Sequence, residues 1–596
     1  MLNKNALSCF LFPLLLSATS FADADVPAGF KVLGTVVPAE YDPPPTHGFT
    51  ESAPQTHTGD YKASAEERAG GYVVYAKSYM DEVYPRTTPQ SSEVTAALSA
   101  FSTPGEYEPV TFTIYALEQM TGVSVSVADL TSAKGDRIKA SNIDVRSVRC
   151  WPKRIWKHPP VNEYLMKPWF LEKRPSLDIE QKTSQRFWLT LRVPPGTPAG
   201  TYKTTVSIGT DNRDDRRLAL DLQVLDIDLM TPPTKQCIYY HMQDELNPVS
   251  YQPYSDPGRY LKDAVNMKEH GLNSVFMMIP VAFSGRMEGD KAVFDLDPIA
   301  PFMDACMKVG VDTVIFNMTL HLILPGKGPS ADYGVNVRGF VDSFVARGWT
   351  MPILSYGDES DASDAWKLYA SQMKMSKSVV PEAKTYTTIV YPWNSEHFEP
   401  HLDIRAHALL DWRVVEPARK AGRELWQYSG AHGGAKNARF YRGIWGSMLG
   451  LRGMSDWLYF LLYNKEAFLD DLGGGGSSGG PNHRGFVIPT PAGPLPTPRW
   501  EGIREGVLDG RYLYTLAELI SKSETSGDPA LVALAADAQS FLDDLYDQVD
   551  DIPEYVPNGP FPHSEVSGTI KDLKFFDFRF VAATHIKKMQ DERAGP

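Results

Sequence analysis

A chain of 596 residues is too long for one ordinary hydrophobic core and implies two or three domains. Its 73 acidic against 59 basic residues leave a formal charge of −14, and no Lys/Arg cluster is dense enough to track a phosphate backbone, which argues against nucleic acid as a partner. No stretch beyond the N-terminal segment approaches the ~20 uninterrupted apolar residues of a spanning helix, so no integral membrane segment is expected.

Residues 1–22 carry Lys4, an apolar core from Phe10 to Leu16, and small residues Ser20 and Ala22 at the −3 and −1 positions of a cleavage site. That is the pattern of a secretory signal peptide, and the expected location is the periplasm or beyond. Cleavage leaves Cys150, Cys237 and Cys306, an odd number that gives no disulfide framework, and no Cys or His spacing matches a zinc site.

Residues 23–70 are rich in Pro, Thr, Gly and Ser without a sustained period and read as a linker or extended arm. In residues 71–230, β-rich segments alternate with turn signals: Tyr72 to Tyr75, Pro109 to Tyr115, Val123 to Val127, Phe187 to Val193, Thr204 to Ile208 and Leu218 to Leu222. The spacing predicts an antiparallel β-sandwich.

From Lys235 the pattern changes to apolar strand, amphipathic helix and strand again. Expected strands are Cys237 to Tyr240, Ser274 to Ile279, Thr313 to Met318, Met351 to Tyr356, Tyr386 to Tyr391, Ala408 to Trp412, Leu425 to Tyr428 and Trp457 to Phe460. Eight of them over residues 235–465 predict a closed (β/α)8 TIM-like barrel, with helices at Tyr260 to His270, Ile299 to Val309, Val335 to Arg347 and Ala365 to Lys377. Residues 466–498 form a Gly/Pro-rich loop containing Gly473 to Gly480, which reads as slack or as a mobile lid. Residues 499–596 have helix-like apolar spacing and predict a small C-terminal helical region.

The tripeptide Gly357-Asp358-Glu359 closes the fourth predicted strand. Neighbouring side chains in mid-strand point to opposite faces, so two adjacent carboxylates converge on one ligand only where a strand ends and the backbone turns, as glycine permits. The C-terminal strand ends of such a barrel carry its chemistry. The pair alone also fits a solvated turn in which Asp358 or Ser360 caps the following helix. Aromatic side chains suit sugar rings, and 12 Trp and 28 Tyr offer many, although most must be core in a chain of this size. Tyr391, Trp393 and Asn394 follow the fifth predicted strand, Trp412 the sixth, and Trp426 and Tyr428 close the seventh, while Trp457 begins the eighth. For each aromatic, barrel packing competes with ligand stacking. Asp244-Glu245 is a rival acid pair beside the turn signal Asn247-Pro248, and His241 and His321 end strands as structural groups or hydroxyl ligands.

Four stretches together resemble glycoside hydrolase family 123 and related bacterial proteins: Gly105-Glu-Tyr-Glu-Pro109, Val193-Pro-Pro-Gly-Thr-Pro-Ala-Gly-Thr-Tyr202, Tyr356-Gly-Asp-Glu359, and Arg499-Trp-Glu-Gly-Ile-Arg-Glu-Gly-Val-Leu-Asp-Gly-Arg-Tyr-Leu513. They occur in the family's order over residues 71–520, and Ser360 stands where the family usually has proline after the carboxylates. The resemblance implies a retaining, exo-acting hydrolase that releases terminal β-linked N-acetylgalactosamine, with the substrate's own acetamide as nucleophile and without metal or cofactor. It implies that Asp358 orients the acetamide and Glu359 acts as acid and base. Tyr428 and Trp457 are the first candidates for holding the acetamide, followed by Trp393, Asn394 and Trp426. The adjacency of the carboxylates fits this chemistry, because ordinary retaining enzymes need two carboxyl groups on opposite faces of the sugar. Two other readings stay open: a glycosidase for a sugar without the acetamide, using Asp411 or Asp244 as nucleophile, and a non-catalytic glycan-binding protein of the same fold.

Overall fold

The computed structural model describes residues 48–52, 58–155, 162–241, 258–278, 283–318, 328–408, 410, 412–428, 430–431, 434–462, 483–490, 493–549 and 575–594. The signal-like segment, Asp244-Glu245, His321, Asp411 and Gly473 to Gly480 lie outside them, as do the side chains of Trp393 and Trp412.

Residues 50–224 form two sheets. One runs in the order Thr50–Glu51, Glu163–Glu172, Ile143–Arg154, Ser184–Arg192, Tyr107–Ala116 and Tyr72–Tyr75; the other runs Leu177–Ile179, Met120–Val127, Gly200–Gly209, Arg216–Val224 and Ala97–Ser102, with two short strands alongside. Phe112, Ile114, Phe187 and Leu189 of the first sheet and Val123, Val206, Leu218 and Leu220 of the second belong to one buried cluster, so both sheets spend their apolar faces on the same core. The sheets are not purely antiparallel as expected. Thr50–Glu51 pairs in parallel with Glu163–Glu172, and Ala97–Ser102 with Arg216–Val224. Sequence reading overlooked Ile143–Arg154 because its four cations hide the β pattern; Lys153 is buried there, its ammonium 3.5 Å from the centre of the Trp169 ring.

Eight parallel strands then close into a barrel: β1 (Lys235–His241), β2 (Ser274–Met278), β3 (Thr313–Asn317), β4 (Ile353–Ser355), β5 (Thr385–Ile389), β6 (Ile404–His407), β7 (Glu424–Tyr428) and β8 (Gly453–Asp456). Between them lie α1 (Arg259–Glu269), α2 (Ala300–Val309), α3 (Tyr333–Ala346), α4 (Trp366–Val379), α5 (Trp412–Lys420) and α6 (Ala435–Phe440). Two strands were misplaced in the sequence. In β6 only Ile404 and Ala406 face the barrel interior, and Arg405 and His407 between them disguise the strand, whereas the apolar run that follows leads into α5. In β8 the segment Gly-Met-Ser-Asp looks like a turn, but a Cβ on Gly453 would sit 2.0 Å from the Trp426 ring, so glycine is required by packing. Arg442, in the π-helical turn after α6, clamps the closing seam by donating to Gln236 Oε1 at 2.8 Å, to the Cys237 carbonyl at 2.7 Å and to Asp456 at 2.9 Å.

The chain ends in α7 (Pro498–Glu524), α8 (Pro529–Tyr546) and α9 (Phe575–Ala594). A Cβ on Gly502 or Gly506 of α7 would meet the Ala435 or Arg439 carbonyl at 2.4 or 2.5 Å, so these glycines let α7 pack directly on α6. A buried ionic cluster forms at that contact. Arg439 donates to Asp509 at 2.6 and 2.9 Å; Arg579 of α9 reaches Asp509 at 2.6 Å, Glu505 at 2.8 Å and Glu108 at 3.2 Å; Arg511 reaches Glu106 at 2.9 Å. Two of the stretches that carry the family resemblance, Gly105–Pro109 and Arg499–Leu513, therefore meet as a joint between the sheet domain, the barrel and the C-terminal helices, remote from the β4 carboxylates in both sequence and contact.

Candidate active site

Tyr239, Phe276, Tyr386 and Trp426 fill the barrel interior ring against ring, with centroid distances of 4.2, 5.7 and 5.8 Å from one to the next. The Tyr239 and Tyr386 hydroxyls lie 3.4 Å apart. Trp426 is fully buried with its indole N–H donating to Glu424, two residues below Tyr428 on the same inward face. The structure thus places Trp426 in the barrel packing under the site and gives it no exposed surface for a ligand.

Above this floor, β4 ends and the chain turns through Gly357 at φ +72° and Glu359 at φ +50°. A left-handed glutamate costs about 1–2 kcal/mol and persists only where its surroundings fix it. Thr388, at the inward-facing end of β5, does so: its hydroxyl accepts the Glu359 N–H at 2.9 Å and donates to Asp358 Oδ1 at 3.2 Å. Ser360 Oγ accepts the Asp358 N–H at 3.2 Å, so the residue that replaces the family's proline closes the turn with its hydroxyl at the first position of a short 3-10 helix. Tyr428, at the end of β7, donates to Glu359 Oε1 at 2.7 Å. The predicted pair and Tyr428 are therefore brought together, although the Tyr428 hydroxyl here serves Glu359.

Asp361 is a third carboxylate that sequence reading did not single out. It is buried, accepts the Val390 and Tyr391 N–H groups at 3.0 and 2.9 Å, and takes the Asn394 side-chain amide at 3.3 Å. Asn394 also donates to the Asp361 carbonyl at 2.9 Å, so both residues fasten the helical loop Pro392–Phe398 to the end of β4. Trp457, half-buried just past β8, leans on Tyr239 at 5.6 Å and meets His241 edge-on at 5.4 Å. Among the described residues neither His241 ring nitrogen has a hydrogen-bond partner, and burial pushes its pKa down to about 4, leaving a neutral ring at the mouth.

Asp358 retains solvent access, yet the barrel rim crowds it closely enough that desolvation raises its pKa while the Thr388 hydroxyl pulls it back. Desolvation also raises Glu359, reinforced by the Asp358 charge and opposed by Tyr428. The result is two neighbouring carboxyl groups, both raised from their usual values and each held by a different hydroxyl. Among the described residues no group of three or more His, Cys, Asp or Glu is arranged to hold a metal ion, and no helix is long and apolar enough to cross a membrane.

An alanine at 357 would have to adopt φ +72° with its Cβ 2.6 Å from Ser360 Oγ and 2.9 Å from the Tyr369 ring. Gly357→Ala is expected to lower the thermal midpoint by an amount corresponding to about 1–2 kcal/mol and to reduce turnover further, because the turn carries both carboxylates. Unchanged stability and turnover would show that the turn is not constrained as described.

Comparison with known proteins follows the same division of the chain. Residues 78–210 match the Glycoside hydrolase 123 N-terminal domain. The resemblance to family 123 drawn from the sequence is thereby shown over the sheet domain, including the stretches at 105–109 and 193–202. A family 123 glycoside hydrolase from Clostridium perfringens, solved to detail glycolipid glycan hydrolysis, superposes with a TM-score of 0.60 at 13% identity, over 87% of this chain and 97% of that one, which establishes a shared fold. A GH2 β-galacturonidase from Eisenbergiella tayi (12% identity, 67% and 69% coverage, TM-score 0.31) and a GH5 xyloglucanase from Bacteroides ovatus (9%, 69% and 98%, 0.27) are too distant in shape to bear on the site. No curated protein matches the sequence.

Proposed function

We propose that this protein is an exported, exo-acting glycoside hydrolase that releases terminal β-linked N-acetylgalactosamine with retention, the substrate's acetamide oxygen acting as nucleophile. The observation that carries the reading is the Asp358-Glu359 pair at the end of β4, with one carboxylate on the Thr388 hydroxyl and the other on the Tyr428 hydroxyl. The family 123 match and the shared fold with an enzyme of glycolipid glycan hydrolysis support it. In this reading Asp358, ionised, accepts the acetamide N–H and stabilises the positive charge of the oxazolinium as the acetamide oxygen attacks C1. Glu359, protonated, gives its proton to the leaving oxygen and then takes one from the water that opens the ring. Burial, reinforced by the Asp358 charge, raises Glu359 and favours its protonated form. Trp457 backs the acetyl methyl, and Tyr428 passes from Glu359 to the acetamide oxygen as the sugar enters. The two sheets are read as a sandwich that braces the barrel, and residues 1–22 as the export signal.

The test is chromophore release from aryl β-N-acetylgalactosaminide, β-N-acetylglucosaminide and β-galactoside. Turnover confined to the acetamido sugars supports the reading, and turnover of the galactoside contradicts it. A second expectation concerns pH. Activity requires ionised Asp358 and protonated Glu359, so it falls on the acid side as Asp358 gains a proton and on the alkaline side as Glu359 loses one. Thr388 donates to the Asp358 carboxylate and favours its ionised form. Thr388→Val should therefore move the acid limb of kcat/KM to higher pH, and an acid limb that stays in place would remove Asp358 from that role.

A further inference from the structure

A second cavity lies where the sheet domain meets the N-terminal ends of α6 and α7, and it shares no residue with the Asp358-Glu359 site. Its volume of about 430 Å³ falls within the range of small-molecule sites. Tyr79, Trp169 and Trp188 line one side, Trp188 edge-on to Tyr79 at 5.5 Å and Trp169 half-buried. Asp81 and Lys167 of the sheet domain and Asn437 of α6 stand at its rim, Asp81 and Asn437 exposed. Trp188 itself is only 1% exposed, and its buried indole N–H has no hydrogen-bond partner among the described residues, an arrangement that native interiors rarely leave uncompensated.

We infer that this interdomain cavity is a second saccharide-binding site. A lipid would be served by aromatic walls alone, and an anion by cations alone. The lining combines that aromatic surface with both signs of charge, the carboxylates of Asp81 and Glu82 and the cations of Lys167, Arg186, Lys436 and Arg499, together with the Asn437 amide, which matches sugar hydroxyls that donate and accept at once against a ring with apolar faces. The Trp188 N–H then donates to a sugar oxygen. The ionic joint of Glu106, Glu108, Arg511 and Arg579 fixes the two walls relative to each other, so the cavity is held in shape before any ligand arrives. The inference rests on this lining and not on the assignment of the catalytic centre.

The experiment uses the full chain carrying Asp358→Asn, so that no probe is consumed, and measures saturation-transfer NMR with galactose, lactose and N-acetylgalactosamine. Trp188→Phe keeps the ring and deletes only the N–H. Asn437→Ala, an exposed change, serves as the second variant should the first not fold. At least one sugar is expected to bind, with affinity falling about three- to ten-fold in either variant, the loss of one hydrogen bond. Absence of binding by all three sugars, or affinities that neither variant changes, would overturn the site. Aryl-glycoside turnover by the unmodified protein is read separately, so failure of the cavity and failure of the hydrolase reading remain distinguishable.

Discussion

Replacing Glu359 by glutamine is expected to lower kcat on an N-acetylgalactosaminide with a poor leaving group by about 10²–10⁴-fold, the usual worth of a positioned acid and base. The loss should shrink for an aryl glycoside, whose leaving group needs little protonation, and KM should change far less than kcat because the amide keeps the shape of the side chain. Asp358→Asn should cost about 10²–10³-fold on both substrates, since charge stabilisation near C1 is needed whatever the leaving group. Burial raises both carboxyl groups above their unfolded values, so the folded state binds their protons more tightly than the unfolded one and the pair contributes a stability that is lost as pH rises through their folded pKa values. At neutral pH each amide variant should therefore have a higher thermal midpoint than the parent, while losing activity. A variant that loses activity together with stability would indicate a structural role.

Arg579→Ala carries the largest expected effect on folding. It removes the guanidinium that three buried carboxylates, Glu108, Glu505 and Asp509, share at 3.2, 2.8 and 2.6 Å. Breaking a buried charge network from one side costs about 3–5 kcal/mol, because the orphaned charges stay in place. The sign of its pH dependence follows from the same groups. Desolvation already pushes Glu106 up to about 7 and holds Glu108 well above the usual carboxylate range, with the Glu505 charge adding to the latter. Acid relieves an uncompensated carboxylate by protonating it, so the fall in denaturation midpoint should be larger at pH 8 than at pH 5. A midpoint unchanged at both pH values would show that the joint does not hold the domains together.

This joint also explains what the sequence disclosed and what it did not. The stretch Arg499 to Leu513 is the most specific of the family-like motifs, and its Glu505, Gly506, Asp509 and Arg511 all serve the packing of α7 against α6, α9 and the sheet domain. It identified relatedness without being part of the site. The barrel was legible where strands are continuous apolar runs, as in β2 and β3. It was illegible in β6 and β8, where an outward Arg405 and His407, or a Gly453 required by Trp426, break the run. The Asp358-Glu359 pair was legible because a strand ended there on glycine. Thr388 and Asp361 were not, since neither residue type signals function by itself. Thr388 could have been found from the strand alternation that turns it inward at the end of β5, whereas the grip of Asp361 on the backbone after Ile389 exists only once β4 and β5 are side by side.

The measurement that tests the central claim most directly is the rate of hydrolysis of aryl β-N-acetylgalactosaminides whose acetyl group carries zero, one, two or three fluorine atoms. Fluorine withdraws electrons from the acetamide oxygen. If that oxygen is the nucleophile, kcat/KM falls steeply and progressively along the series, and it does so in the unmodified protein with Asp358 and Glu359 both in place. A rate that turnover sustains unchanged across the series would mean that the protein supplies its own nucleophile, and the roles given to Asp358 and Glu359 would be wrong.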